Sequence, residues 1–99
     1  MISLKVDFII RQNESLEFVQ EIITGFIENI RRNEPDTWLY KSFQHSDDPR
    51  HFFHVMTFKD EEAQLKHTHT GYCKDFVAKL YPLCEKKPEA SALNEVTVT

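Results

Sequence analysis

The chain of 99 residues has the length of one small domain, and its 40% apolar residues are sufficient for a packed interior. This composition argues against intrinsic disorder. The formal charge of −4 is mild, and the basic residues are scattered along the chain rather than gathered in one stretch, so we expect no nucleic-acid partner.

No apolar stretch approaches the roughly 20 residues that are needed to cross a membrane. The N-terminal segment MISLKVDFIIRQ lacks the basic start and the uninterrupted apolar run of a signal peptide. We therefore expect a cytoplasmic protein without a membrane partner. In that compartment its two cysteines should be reduced thiols.

The first part of the chain predicts a strand followed by a helix. Apolar side chains alternate along the N-terminal segment, which is typical of a strand, at Ile2, Leu4, Val6, Phe8 and Ile10. From Leu16 onwards the apolar residues recur at spacings of three and four, which predicts a long amphipathic helix capped by Ser15 or Asn13. Pro35 should end this helix.

The central part of the chain predicts a hairpin of two strands. TWLYKSFQH and HFFHVMTFK form the strands, and SDDPR between them is a turn, so the two should be antiparallel neighbours. The second of these strands is apolar on both faces, with Phe53 and Val55 on one and Phe52, Met56 and Phe58 on the other. Such a strand is central in its sheet or covered by another subunit.

The C-terminal part predicts two further helices and a strand. DEEAQLKH forms a short helix, THTG interrupts it, and Thr70 can cap a helix in YCKDFVAKLYPLCE that bends or ends at Pro82. KKPEASA is predicted to be a linker and LNEVTVT the last strand.

The order of these elements predicts a single α+β domain over residues 1–99, with the ferredoxin-like βαββαβ arrangement of a four-stranded antiparallel sheet. Helices would cover one face of this sheet. The other face would remain uncovered although it is partly apolar, and such surfaces usually mark interfaces. We therefore expect a homodimer in which two sheets pack face to face.

The stretch LKHTHTGYC raises the possibility of a metal site or a reactive thiol. His67 and His69 lie about 200° apart around a helix axis, so they cannot bind one ion together, and we expect no metal site. Cys73 falls in the first turn of a predicted helix, where a thiol can become reactive, but a packed apolar cysteine is the more common situation. Both readings of Cys73 stay open.

The surplus of aromatic residues suits a pocket for a flat organic compound. The candidates for such a pocket combine rings with a few polar atoms, and they are Trp38, Tyr40, Phe53, His54, His67 and Tyr72. Each of them could equally be an ordinary core residue. Glycine-rich phosphate loops are absent from the sequence, so we expect no nucleotide cofactor.

One stretch resembles a known family. FFHVMTFKDEEAQLKHTHTGYCKDF combines an apolar strand, Asp-Glu-Glu-Ala, His67 four residues after Ala63, and Thr70 three residues later. This pattern resembles the antibiotic biosynthesis monooxygenase (ABM) family, which includes quinol monooxygenases. The resemblance implies one ABM-like domain, a dimeric α+β barrel, and a pocket between sheet and helices.

The resemblance also implies a function. Characterised members oxidise hydroquinone-like or polycyclic aromatic compounds with molecular oxygen, often without a metal or flavin. It points to His67 as base or anion stabiliser. From the aromatic candidates named above, we expect His54 and Tyr72 to be polar helpers and Trp38, Tyr40 and Phe53 to be apolar walls. The expectation is a cofactor-independent monooxygenase that acts on a small aromatic or quinol-like compound.

Two departures from the family pattern motivate an alternative. Met56 stands where many relatives carry a glutamate, and Tyr72 stands where a second histidine is frequent. The haem-degrading members' set of Asn, Trp and His cannot be traced here. The alternative is a non-catalytic dimeric module of the same fold, either ligand-binding or stress-related.

Overall fold

The computed structural model describes residues 1–97 and has the predicted ferredoxin-like α+β architecture. The four strands pair antiparallel throughout, in the order β2-β3-β1-β4. A short 3₁₀ turn, Tyr81–Leu83, follows the last helix. The elements are β1 Ile2–Ile9, α1 Leu16–Asn33, β2 Thr37–Gln44, β3 His51–Phe58, α2 Glu61–His69, α3 Gly71–Leu80 and β4 Glu89–Leu93.

Polar side chains cap all three helices at their first turns. Ser15 accepts a hydrogen bond from the Phe18 amide at the start of α1, and Asp60 accepts one from the Ala63 amide at the start of α2. Thr70 ends α2 and also caps α3, because its hydroxyl accepts from the Cys73 amide. The break that THTG predicts between two helices is therefore confirmed.

The two faces of the sheet differ in burial along β3. Its even-numbered side chains are buried against the helices, whereas its odd-numbered side chains lie half-buried on the outer face. This alternation follows from the period of two in a strand. On the helix side the core is built from apolar side chains of α1, α3, β1 and β3, including Phe8, Val19, Ile23, Phe26, Ile30, Phe52, Phe76 and Leu80.

The position of the last strand corrects the sequence prediction. β4 comprises Glu89–Leu93, which was predicted to be mostly linker, and residues 94–97 of the predicted strand LNEVTVT are not in a strand. Val98 and Thr99 of that prediction lie outside the described residues. The alanines and serine of β4 give no clear apolar pattern in the sequence. The strand forms because its backbone pairs with β1, whereas its side chains stay exposed.

Among residues 1–97, none of the helices has the length and apolar character required to cross a membrane.

Candidate functional site

A cavity of about 470 Å³ lies between the sheet and helices α2 and α3. Its size falls within the range of small-molecule sites, and its surface is mainly apolar. Exposed residues such as Thr68 and Lys74 form part of its edge, so the cavity reaches the protein surface. Its walls include Leu4, Val6, Phe8, Phe26, Tyr40, His54, Met56, Phe58, His67, Cys73, Phe76 and Leu80.

His67 lines this cavity and is held by a buried carboxylate. Its Nδ1 lies 2.8 Å from Oε1 of Glu34, and the two side chains are 6% and 8% exposed. Glu34 also accepts hydrogen bonds from the Thr37 hydroxyl, at 2.7 Å, and from the Tyr72 hydroxyl. A carboxylate that already accepts from two hydroxyls orients the imidazole with its proton on Nδ1, so that Nε2 carries the free lone pair.

The local sequence explains why Glu34 occupies this position. Glu34 is the C-terminal cap of α1, its amide donates to the Ile30 carbonyl at 2.9 Å, and Pro35 prevents the helix from continuing. The chain then turns into β2, which leaves the carboxylate beneath the end of α2. An acidic residue at a helix C-terminus opposes the helix dipole, and this was the one sequence signal that could have singled out Glu34.

Cys73 lies next to His67 in the cavity wall. Its Sγ is 3.9 Å from Nε2 of His67. Burial, followed by the charge of Glu34, raises the pKa of the Cys73 thiol. The free protein therefore carries a protonated thiol here, which agrees with the packing interpretation of this residue.

His54 and Tyr40 form a second polar pair in the wall. The Tyr40 hydroxyl lies 2.9 Å from Nδ1 of His54, which is only 2% exposed. Nε2 of His54 has no hydrogen-bond partner among the residues that the structure describes. Burial lowers the pKa of His54 to about 4 and raises that of Tyr40 well above its usual range, so both groups are neutral at pH 7.

The other three candidate residues lie outside the cavity wall. Tyr72 hydrogen-bonds to Glu34, and its ring centre lies 6.2 Å from that of Phe26 in the wall. Trp38 is 57% exposed, at the point where the pairing register of β2 with β3 shifts. Phe53 lies on the outer face of the sheet, where its ring stacks on Phe43 with 5.0 Å between the ring centres.

His69 is exposed at the end of α2, where its Nδ1 lies 2.7 Å from the Leu65 carbonyl oxygen. Within residues 1–97, no three side chains of His, Cys, Asp or Glu come together in a way that could hold a metal ion.

The fold and this cavity define a ferredoxin-like domain with a ligand-sized apolar site. Residues 1–79 match the antibiotic biosynthesis monooxygenase family, and the chain belongs to this family. No functionally curated protein sequence matches the chain.

Solved structures of low sequence identity share the fold. A crystal structure of an antibiotic biosynthesis monooxygenase has a TM-score of 0.87 and 21% identity, covering 98% of this chain and 100% of the other. A Nitrosomonas europaea protein that is also described as an antibiotic biosynthesis monooxygenase has a TM-score of 0.88 and 17% identity. The match covers 98% of this chain and 100% of the other. A structure from Caulobacter crescentus has a TM-score of 0.86 and 18% identity, and the match covers 97% of this chain and 90% of the other.

Proposed function

We propose that this protein is a cofactor-independent monooxygenase that oxidises a small aromatic or quinol-like compound with molecular oxygen. The observation that carries the proposal is the His67–Glu34 pair in the wall of an apolar cavity. A general base must lie within reach of the substrate proton and in the correct protonation state. The hydrogen bond from Nδ1 to Glu34 puts the lone pair of His67 on Nε2, where a substrate hydroxyl can replace the long, weak contact of the Cys73 thiol at 3.9 Å.

The reaction needs no electron donor besides the substrate. Nε2 of His67 takes the proton of a hydroquinone hydroxyl, and the resulting anion transfers electrons to oxygen. A carbon–oxygen bond to the ring then forms, the O–O bond of the hydroperoxide breaks, and water leaves. One oxygen atom ends in the hydroxyquinone product and the other in water.

The surroundings of His67 support this chemistry. Glu34 compensates the positive charge that develops on the imidazole when it takes the proton. The rings of Phe26, Tyr40 and Phe58 have their centres within 5.7 Å of the His67 ring centre and exclude water around it. Oxygen itself is apolar and enters such a cavity without cost to hydrogen bonding.

We further propose that two copies of the chain pair through the outer face of the sheet. This face exposes Phe43 (44%) and Leu93 (40%) and carries the half-buried Phe53 and Val55. The rings of Phe43 and Phe53 stack into one apolar patch. Adjacent apolar side chains of this kind are typical of an interface rather than of a free surface.

A non-catalytic ligand-binding module is the alternative, and one observation favours it. His67 is only 5% exposed and is surrounded by aromatic rings, as a packed core histidine would be. In that case the cavity would bind an aromatic compound and release it unchanged.

Oxygen consumption separates the two functions. Protein freed of metal by chelation is mixed with a panel of hydroquinones, and oxygen uptake is followed together with product mass. We expect uptake that falls by about 10²- to 10⁴-fold in His67→Ala. His69→Ala, a change of an exposed histidine in the same helix, is the control and should retain activity.

Uptake that is equal in wild type and His67→Ala, or absent for the whole panel, would remove the monooxygenase proposal. Binding of the same compounds without uptake would instead favour the ligand-binding module.

A further inference from the structure

The buried pair of His54 and Tyr40 contains one polar atom without a partner. His54 is on the helix side of β3, packed with the edge of Phe8 and the ring of Phe76 at centre distances of 5.1 and 6.0 Å. Its Nε2 is buried and unpaired, although its side chain lines the cavity. Buried polar atoms are nearly always paired, so such an atom calls for an explanation.

Counting donors and acceptors determines which nitrogen carries the proton. If the Tyr40 hydroxyl donates to Nδ1, the neutral ring carries its proton on Nε2, and one buried donor is unpaired. If Nδ1 donates instead, the Tyr40 O–H has no acceptor and Nε2 has no donor. The first arrangement leaves fewer buried polar groups unpaired and is therefore the more stable. Tyr40 thus leaves the Nε2–H of His54, a residue of the cavity wall, as an unpaired donor.

We propose that the Nε2–H of His54 binds an oxygen acceptor of the ligand, so that the cavity selects flat, mostly apolar compounds with a carbonyl or hydroxyl oxygen at this end. The inference rests on the proposed function only in taking the cavity as the substrate site. It adds an anchor for substrate oxygen that is separate from the base, and it makes Tyr40 a positioning residue.

The arrangement also orients the ligand. The ring centre of Tyr40 lies 5.3 Å from that of His54 and 5.7 Å from that of His67, so Tyr40 contacts both imidazoles. Both histidines also line the same cavity, so one compound bound there can contact both of them. An oxygen held by His54 fixes the ring of the compound, and a second hydroxyl is then presented to His67. A dioxygenated ring such as a hydroquinone has this pair of groups.

Binding of three probes of the same ring size tests the anchor without turnover. 1-Indanone carries an acceptor only, indole a donor only, and indane neither. Their affinities are measured by isothermal titration calorimetry under argon. We expect 1-indanone to bind about five- to tenfold more tightly than indane, the worth of one net hydrogen bond, and indole to bind no more tightly than indane.

Variants identify the group that is responsible. His54→Phe should abolish the preference for 1-indanone, whereas His54→Gln, which retains an N–H near the position of Nε2, should restore it in part. Tyr40→Phe removes the group that fixes the tautomer, so it should bring the affinities of 1-indanone and indole closer together. Circular dichroism and thermal melting establish that each variant is folded.

Three results would overturn the inference: equal affinities of wild type for all three probes, a preference for indole, or a preference for 1-indanone that persists in His54→Phe. Because no oxygen is consumed in these titrations, a failure here is distinct from a failure of the monooxygenase proposal.

Discussion

The two faces of strand β3 place chemically similar residues in different surroundings. His54 and His51 are three residues apart and point to opposite sides of the sheet. His54 is buried with an unpaired Nε2. His51 is half-buried, lies 3.1 Å from the Asp7 carboxylate and stacks on His45 with 4.1 Å between ring centres.

This difference distinguishes the proposed ligand site from the proposed interface. On the outer face, polar groups are paired with each other, and even the Lys5 ammonium lies 4.7 Å from the ring centre of Phe53. On the helix side, a cavity and one unpaired buried donor remain. The outer face is therefore suited to pack against another protein surface. The inner face is suited to bind a small, mostly apolar compound that carries a hydrogen-bond acceptor.

Adjacent phenylalanines give the largest expected contrast between the faces. Phe52 is 2% exposed in the core, so Phe52→Ala should lower the free energy of unfolding by about 3–5 kcal/mol. Phe53→Ala, on the half-buried outer face, should cost less, and its effect should depend on protein concentration if the face is an interface. Urea unfolding at two protein concentrations measures both. Equal, concentration-independent losses would contradict the distinction.

The buried imidazole predicts a loss of stability in acid. The unfolded chain protonates His54 near pH 6.5, whereas in the folded protein its pKa is about 4. Between these values the unfolded state binds more protons, so the free energy of unfolding should decrease as the pH falls, by about 3 kcal/mol in total.

Urea titrations from pH 7 to pH 4 measure this dependence. His54→Gln should remove that part of it, and His51→Gln serves as the control for the loss of one imidazole from the same strand. Parallel curves for wild type and His54→Gln would show that His54 is not the titrating group.

A charge on the outer face should separate the proposed dimer. Phe43→Glu changes an exposed ring, so the isolated protomer should keep its stability, while dimer affinity should fall about 30-fold or more, as for a central interface residue. Leu65→Glu, at an exposed leucine of α2, is the matched control. Sedimentation equilibrium gives both affinities. A wild-type protein that is monomeric at micromolar concentration would contradict the interface itself.

The smallest expected effect is on the inner side, at Tyr72. Tyr72→Phe removes one donor to Glu34, so it should reduce turnover by several-fold, about 1 kcal/mol in activation free energy, without abolishing it. Thr24→Val, which removes an exposed hydroxyl of α1 that does not line the cavity, is the control. An unchanged kcat in Tyr72→Phe would remove this tyrosine from the site.

Periodicity in the sequence predicted the elements whose side chains alternate or recur strongly. β3 and α1 each bury side chains at one regular spacing, and β1 alternates apolar with polar residues, so the type and approximate extent of all three could be predicted. β4 could not, because its small side chains are exposed and its hydrogen bonds to β1 involve residues more than 80 positions away in the chain. Local patterns contain no information about such pairing.

The same limit applies to the site. His67 was found through a family pattern, whereas its partner Glu34 lies 33 residues earlier in the chain, at the end of α1, and no local pattern connects the two. Trp38 and Phe53 were placed in the pocket by residue type alone. Their positions depend on the register of β2 and on which sheet face the helices cover, and neither follows from composition.

The most direct test of the central claim, that the helix-covered face is the ligand site, is the NMR response of the five histidines to 1-indanone. Imidazole ¹⁵N resonances, assigned with single His→Gln variants, are recorded at pH 7.5 with and without the ligand. We expect His54 and His67 to shift while His45 and His51 on the outer side do not. Shifts of His45 and His51 with His54 unmoved, or no shift in any histidine at saturating ligand, would contradict it.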